Sequence, residues 1–210
     1  MQLTEMRTRV RRDLRDTDPA DERWSDDELD RHIERAVREL SLAAPVEAVA
    51  TLTTTAGSRD LDVSGLADRV TIDAVEYPAG QYPPSYASFA PWGDTLTLVV
   101  DRAPHAGERA TVYYSKLHTL TDDASTLPAA LEEIVATGAG GYAALEWASF
   151  ATNRVNAGGA DTWRHYHIWA QERLAAFARS LAKHGRERRV RSRQLYRPPG
   201  DAVGALTPGG

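Results

Sequence analysis

Residues 127–184 read LPAALEEIVATGAGGYAALEWASFATNRVNAGGADTWRHYHIWAQERLAAFARSLAKH. Apolar or small side chains recur in this stretch every three or four positions, which is the spacing of one face of an α-helix. The first series is Leu131, Val135, Gly138, Tyr142, Leu145, Ser149 and Thr152, and the second is Trp163, Tyr166, Ala170, Leu174, Phe177 and Leu181. The stretch predicts two long helices that form an antiparallel hairpin. Such a hairpin cannot bury both of its faces alone and needs further helices.

Local signals set the predicted ends of this hairpin. The Thr126 hydroxyl can cap a helix that has proline in its first turn, where the missing N–H costs nothing. Glycine and asparagine at 156–159 end the first helix, and Gly185 ends the second. The predicted helices are therefore 127–156 and 161–184.

Three glycines and three tryptophans within the hairpin need an explanation. Each glycine inside a helix costs about 1 kcal/mol relative to alanine, and close approach of another helix is the compensation we expect. Tryptophan at helical spacing is most often used in a core or a subunit interface. The residues predicted for helix packing or a subunit interface are Gly138, Gly141, Trp147, Trp163 and Trp169.

The N-terminal residues predict two more helices, at 4–15 and 25–43. Thr4 is a plausible cap for the first of them. Ser25 and Glu28 have the spacing of a capping box, in which each side chain bonds the backbone N–H of the other residue. Trp24 and Leu29 stand where a hydrophobic staple places its two apolar residues.

From residue 46 to 120 the hydrophobic period changes from helical to alternating, which predicts β-strands. The strand candidates are 52–55, 59–63, 69–77, 85–89, 95–100 and 110–116, with turns at 56–58 and 92–94 and a loop rich in proline and tyrosine at 78–84. We expect Thr95–Val100 and Ala110–Lys116 to pair. The fold class predicted is α+β, mainly α, with a helical bundle formed by 1–45 and 121–185 and an inserted antiparallel β unit at 46–120.

Composition excludes several classes of protein. Hydrophobic residues make up 42% and charged residues 26% of the 210 positions, as in an ordinary globular protein. There is no cysteine, so disulfides and thiolate metal sites are excluded. No apolar run is long enough to span a membrane, and cytoplasmic synthesis is the simple inference. The net charge of −5 does not suggest a protein that coats nucleic acid.

Residues 186–210 predict an extended C-terminal arm, because they have few core-forming side chains. Its candidate binding residues are Arg186, Arg188, Arg189, Arg191, Arg193, Leu195, Tyr196 and Arg197. The run can bind phosphate, dock on an acidic protein surface with an apolar anchor, or remain a solvated end. The apolar residues interleaved with the arginines favour a protein groove over a phosphate backbone.

Motifs that carry chemistry are not found. The glycines at 138–141 follow no strand, so they are not a dinucleotide fingerprint. His165 and His167 are two positions apart and lie on different helix faces, so they do not share a metal. Glu132 and Glu133 are expected on a solvated face, and Glu146 on the helix surface. We therefore predict no catalytic residue, no metal ligand and no cofactor.

Three segments together resemble a known family. Residues 9–14 (RVRRDL), residues 23–29 (RWSDDEL) and the helix from Ile33 to Leu40 resemble the opening of head-to-tail connector proteins, also called adaptors or head-completion proteins, of long-tailed double-stranded DNA phages. In that family a short helix, a loop and a helix with a W-[ST]-D-x-E-L motif begin a small helical bundle. The long hairpin and the arginine-rich arm fit the same order, although the β unit is larger than the simplest adaptors carry.

The resemblance implies a structural virion protein of the neck, at the junction of head and tail. Family members form a ring, usually of twelve copies, beneath the portal protein, with DNA passing through the centre without sequence-specific contacts. The C-terminal arm engages the portal, and a stopper or tail protein follows. The family is not enzymatic, needs no cofactor and is not associated with membranes. The alternatives are a nucleic-acid-binding protein that uses the arginine-rich tail, and a hydrolase with a site in the β unit.

Overall fold

The computed structural model describes residues 1–151 and 162–195. Its helices are α1 (Leu3–Leu14), α2 (Asp26–Ala43), α3 (Ala129–Ala151) and α4 (Thr162–Leu195). Its strands are β1 (Val46–Thr53), β2 (Asp60–Asp62), β3 (Arg69–Glu76), β4 (Ser88–Trp92), β5 (Thr95–Val99) and β6 (Arg109–Lys116). The predicted class, α+β and mainly α, is confirmed.

The chain divides into a helical unit, Met1–Glu47 with Ser115–Arg186, and a β unit built on Ala48–Tyr114. The core of the helical unit joins apolar side chains of all four helices. It includes Met6 and Val10 of α1, Leu29, Ile33 and Leu40 of α2, Val135 and Ala139 of α3, and Ala170 and Phe177 of α4. Almost all of the buried residues of α3 are alanine or glycine. Small side chains let the neighbouring helices approach α3 closely.

Helix α1 begins one residue earlier than predicted and uses a different cap. Gln2 occupies the N-cap position, and its backbone N–H donates to the Glu5 carboxylate at 2.8 Å. Thr4 lies inside the helix, where its hydroxyl donates to Asp122 Oδ1 at 2.5 Å. The assignment of Thr4 as the cap is therefore wrong.

The start of α3 also differs from the prediction. The helix begins at Ala129, and the Thr126 hydroxyl accepts the Thr119 N–H at 2.9 Å instead of capping the helix. The Thr126 hydroxyl therefore bonds a residue of the loop that leads into the helix. The predicted helix end at 156–159 and the candidate start at Asp161 lie outside the described residues.

Helix α4 continues to Leu195, so the prediction that Gly185 ends it is wrong. The first ten residues of the predicted extended arm are helical. A glycine inside a helix costs about 1 kcal/mol relative to alanine. The arginine, glutamate and glutamine residues that follow Gly185 are good helix formers and offset this cost. Extended structure for the rest of the arm, residues 196–210, stays a prediction.

The β unit consists of two three-stranded sheets, ordered β1-β6-β3 and β2-β5-β4. Both of the strands that we expected to pair are present, but β5 lies in one sheet and β6 in the other. The pairing prediction is therefore wrong, while the prediction of strands is right. Strand β5 instead pairs antiparallel with β2, placing Leu96 opposite Leu61, and with β4, placing Leu98 opposite Phe89. These side chains join the buried core of the unit.

Candidate interaction surfaces

The loop between α1 and α2 is held by one guanidinium group. Arg11 is 9% exposed and donates to Asp16 Oδ2 at 2.8 Å, to Asp26 Oδ1 at 2.8 Å and to the Trp24 carbonyl at 2.9 Å. The backbone N–H of Arg23 donates to the other Asp16 oxygen at 2.8 Å. The hydrogen bond from Arg11 lowers the pKa of Asp26 below its ordinary value. This network fixes the chain immediately before α2.

Trp24 therefore enters the bundle core at a defined point. It is 3% exposed, and its indole N–H donates to the Ala143 carbonyl of α3 at 3.3 Å. Its ring centroid lies 5.7 Å from that of Trp147 and 6.2 Å from that of Tyr166. The Arg23 guanidinium lies 5.9 Å from the Trp147 ring centroid. Trp147 is thus partly buried in an aromatic cluster of its own chain, and its place in a subunit interface stays a prediction.

Both hydrogen bonds of the predicted capping box are present. The Ser25 N–H donates to Glu28 Oε2 at 2.7 Å, and the Glu28 N–H donates to the Ser25 hydroxyl at 3.3 Å. The hydrogen bonds from Ser25 lower the pKa of Glu28. The start of α2 is therefore organised by groups that are adjacent in the sequence.

The two predicted packing glycines of α3 face α4. A Cβ atom at Gly138 would lie 3.0 Å from the Phe177 ring, and one at Gly141 would lie 2.9 Å from the Leu174 side chain. Neither position has room for a larger residue unless the neighbour moves. These glycines therefore allow α3 and α4 of one chain to pack closely. Their place in a subunit interface stays a prediction.

Trp169 and Trp163 belong to the first half of α4, and both are partly exposed. Trp169 packs against the helical core, with the Arg173 guanidinium 4.8 Å from its ring centroid. It also lines a groove of about 430 Å³ between the end of α1 and α4. Trp163 lies 5.5 Å from the Arg164 guanidinium and does not line this groove. Of the three predicted tryptophans, Trp169 is the one that lines this groove.

The acidic residues of α3 are paired more closely than the sequence suggested. Glu132 was expected on a solvated face, but its side chain is 13% exposed and lies 2.7 Å from the Met1 amino group. Glu133 is exposed and pairs with Arg9.

Glu146 lies on the helix surface, as expected, and contacts two groups of α2. Its carboxylate is 2.6 Å from Arg31 Nη2 and 2.6 Å from His32 Nε2. The contact with His32 does not have the alignment of a hydrogen bond. Burial lowers the pKa of His32, although Glu146 opposes this effect.

Within residues 1–151 and 162–195, no cluster of histidine, cysteine or acidic residues has the geometry of a metal site. His165 is exposed, and His167 is partly buried two positions further along α4. In the same described ranges, no helix is long and apolar enough to cross a membrane.

The candidate arm residues are only partly described. Arg186 is exposed, and the backbone from there to Leu195 belongs to α4. Tyr196 and Arg197 lie outside the described residues. A binding surface formed by the arginines, Leu195 and Tyr196 therefore stays a prediction.

Sequence reasoning missed two exposed aromatic residues of the β unit. Trp92, at the tip of the β4–β5 hairpin, is 88% exposed, and Tyr82, in the loop before β4, is 97% exposed. The motif Trp92-Gly93-Asp94 was recognised only as a turn. An aromatic residue at a glycine turn is a weak signal, because nothing local shows whether its ring folds back onto the sheet.

The described residues thus form a small helical bundle with an inserted β unit that carries exposed aromatic residues. The chain belongs to the SU10 adaptor protein family, whose model matches residues 1–198. This match confirms the resemblance to phage head-to-tail adaptor proteins.

Two solved structures contain chains that are 19% identical to this one. One is described as the neck of an empty gene transfer agent (GTA) particle computed with C6 symmetry; the match covers 68% of this chain and 77% of that chain, with a TM-score of 0.29. The other is described as the virion of a native gene transfer agent particle; the match covers 80% and 87%, with a TM-score of 0.28. A comparison with curated proteins found no match.

Proposed function

We propose that this protein is a structural adaptor of the phage neck. It is made in the host cytoplasm, joins the virion at the head–tail junction and forms a ring, of twelve copies by analogy with its family, between the portal and a stopper or tail protein. The observation that carries the proposal is the family match, which extends through the helical unit, the β unit and about half of the arm. In this role the protein needs neither turnover of a substrate nor a cofactor.

Exposed apolar side chains support assembly into a ring. Leu42 is 60% exposed, Ile168 is 50% exposed and Phe150 is 45% exposed in the single chain. Repeated contacts between two different surfaces of one chain close into a ring when the rotation between copies permits it. Burial of these side chains against neighbouring copies would remove apolar surface from water.

The charge distribution suits a ring through which DNA passes. The chain carries a net charge of −5, although six arginines are concentrated between residues 186 and 197. A ring of chains with a net negative charge does not attract the DNA backbone as a whole. We expect DNA to pass without adhering and without sequence-specific contacts.

The arm is the proposed attachment to the portal. Arginine forks pair with carboxylates or backbone carbonyls, while Leu195 and Tyr196 fill an apolar groove on the portal. Exposed ion pairs contribute only about 0–1 kcal/mol each, so the apolar anchors supply most of the docking energy.

Co-sedimentation with purified portal rings at low and high salt tests this attachment. A chain ending at Gly185 should no longer dock, and Leu195→Ala with Tyr196→Ala should weaken docking more than loss of any one arginine. The matched control is Val49→Ala with Tyr82→Ala, which removes one exposed aliphatic and one exposed aromatic residue from the β unit. Docking of the truncated chain at full strength would show that the arm is not the anchor.

The arginine-rich run also favours one alternative, binding of DNA by the arm. Such binding would weaken steeply with salt and would be lost in the truncated chain. A full-length chain that binds duplex DNA through the arm but fails to dock on portal rings, or to form rings there by electron microscopy, would favour the alternative.

A further inference from the structure

The groove of the helical unit is open to an occupant. The apolar part of its lining comes from Leu14 at the end of α1 and from Tyr166, Ile168 and Trp169 of α4. Ile168 is 50% exposed in the groove of about 430 Å³. This space has room for an indole ring. Grooves of this kind, lined by apolar residues with a few polar groups at the edge, are typical binding sites.

The charged residues of the groove are balanced but not all paired. Asp13 pairs with Arg173, which does not itself line the groove. Arg15 and Glu172 make no ion pair within residues 1–151 and 162–195, and the exposed His165 completes the polar lining. Among the residues that the structure describes, Arg15 and Glu172 are therefore a cation and an anion of the groove without an ion-pair partner.

The β unit carries an aromatic side chain, that of Trp92, which is almost fully exposed in the single chain. Trp92 pairs with Thr95 across the hairpin, whereas Leu96, the next residue of β5, lies in the core of the unit. Strand alternation therefore turns Trp92 away from that core, and it is 88% exposed. Gly93 forms the turn with φ +57°, a conformation that suits glycine. The indole is held at the tip of a short hairpin.

The tip of this hairpin also carries an acid. Asp94 is 73% exposed, whereas Arg69 of β3, 3.4 Å from its carboxylate, is only 19% exposed and donates to the carbonyls of Val63 and Gly93. The charge of Asp94 complements that of the groove, because Asp94 can face Arg15. The size of the indole and the acid beside it match the space and the cation of the groove.

We propose that Trp92 of one copy inserts into this groove on the next copy of the ring. The inference rests on the proposed function, since it identifies a contact between neighbouring copies. The knob and the groove are different surfaces of the same chain, so the contact is heterologous and propagates around a ring. An inserted tryptophan buries a large apolar area and is a typical centre of an interface.

Cross-linking tests the contact directly, because the chain has no cysteine. Thr95→Cys lies beside Trp92, and His165→Cys lies in the groove; neither removes an apolar anchor, Asp94 or Arg15. Rings assembled on the portal from a mixture of the two variants should give cross-linked dimers with a short bis-maleimide. Thr51→Cys, an exposed threonine of β1, mixed with His165→Cys is the control and should give none. Rings that assemble without the Thr95–His165 cross-link would overturn the proposal.

Complementing variants test whether the contact drives assembly. Trp92→Ala removes the knob and Ile168→Glu blocks the groove, so neither should form rings alone. In a mixture, Trp92 of the Ile168→Glu variant can insert into the intact groove of the Trp92→Ala variant. The resulting dimer has no second knob or groove that works, so sedimentation should show dimers and no larger species. The contact should weaken at least tenfold in Trp92→Ala and remain unchanged in the control Val49→Ala.

A thermal melt identifies any unfolded variant, and Ile168→Ala replaces Ile168→Glu in that case, with weakened assembly expected. Rings of normal size from folded Trp92→Ala would overturn the knob contact and leave the proposed function intact. Failure of the wild-type chain to form rings on the portal would instead refute the proposed function.

Discussion

At the scale of the residue, Arg11 determines how the N-terminal segment joins the bundle. Its guanidinium bonds the carboxylates of Asp16 and Asp26, and Asp16 is almost completely buried. Removing one partner of a buried ion pair leaves the other charge unpaired, which is costly. Arg11 therefore holds the loop that places Trp24 in the core.

The carboxyl groups of Asp26 and Glu28, at the start of α2, should make the stability of the protein depend on pH. The pKa of Asp26 is lowered by Arg11, and that of Glu28 is lowered by Ser25. A carboxyl group with a lowered pKa stabilises the fold above its ordinary pKa, and this contribution is lost as the pH falls through the lowered value. Stability should therefore fall as the pH drops below the ordinary values of 3.8 for Asp26 and 4.5 for Glu28.

Asp26→Asn isolates one of these groups. Urea unfolding should show the variant to be less stable than wild type near neutral pH, with the difference shrinking in acid. The neighbouring Asp27→Asn, an exposed position, is the control and should change the pH dependence little. A constant difference at all pH values would mean that Asp26 is not stabilised by its charge.

Ser25→Ala should lower the free energy of unfolding by about 1 kcal/mol, because the cap of α2 is lost. Ser25→Asp should keep most of the stability, since a carboxylate also accepts the N–H of Glu28. Ser149→Ala is a control in the last turn of α3, where the hydroxyl donates to the Leu145 carbonyl of its own helix. An unchanged melting temperature for Ser25→Ala would show that the cap contributes nothing.

At the scale of the element, α3 combines poor helix propensity with a high degree of burial. The helix includes Gly138, Gly140 and Gly141, which are all buried. Each of them disfavours an isolated helix, so packing against the other helices must supply the stability. The close approach of Phe177 and Leu174 to the glycine backbone is the compensation that the structure shows.

Replacing helical glycines by alanine should therefore have opposite effects in α3 and α4. Gly141→Ala should destabilise the bundle by about 1–3 kcal/mol, because its methyl group would overlap Leu174. Gly185→Ala meets nothing within 4 Å and should stabilise the helix by up to about 1 kcal/mol. Both values come from urea unfolding. Equal effects at the two positions would show that helix packing does not decide the cost.

At the scale of the whole molecule, the β unit is inserted between the second and third helices, and each unit has its own core. In α4 the last fully buried residue before Gly185 is Phe177.

A chain that ends at Gly185 should therefore remain folded, with a melting temperature close to that of the full chain. A chain that ends at Ala176 lacks Phe177 and should lose several kcal/mol, as truncation of a buried aromatic side chain costs about 3–5 kcal/mol. Circular dichroism melts of both truncations test this. A large loss of stability in the longer one would place residues of the arm in the core.

The sequence alone determined the features that depend on neighbouring residues. Apolar spacing predicted the four helices, the capping box at Ser25 was recognisable in four residues, and the RWSDDEL segment with its flanking helices pointed to the adaptor family. Alternation predicted most of the strands. Each of these signals needs only hydrogen bonds and periodicity within a short window.

Only the tertiary structure decided which distant groups meet. Strands β5 and β6 satisfy the same local pattern whether they pair or lie in separate sheets, because alternation specifies a face and not a partner. The sequence pattern predicts a helix end at Gly185. The free-energy cost of one glycine in a helix is small, however, and the helix-forming residues around Gly185 outweigh that cost. The exposure of Trp92 and the groove beside Trp169 depend on what the rest of the chain covers, and no short window of sequence contains that information.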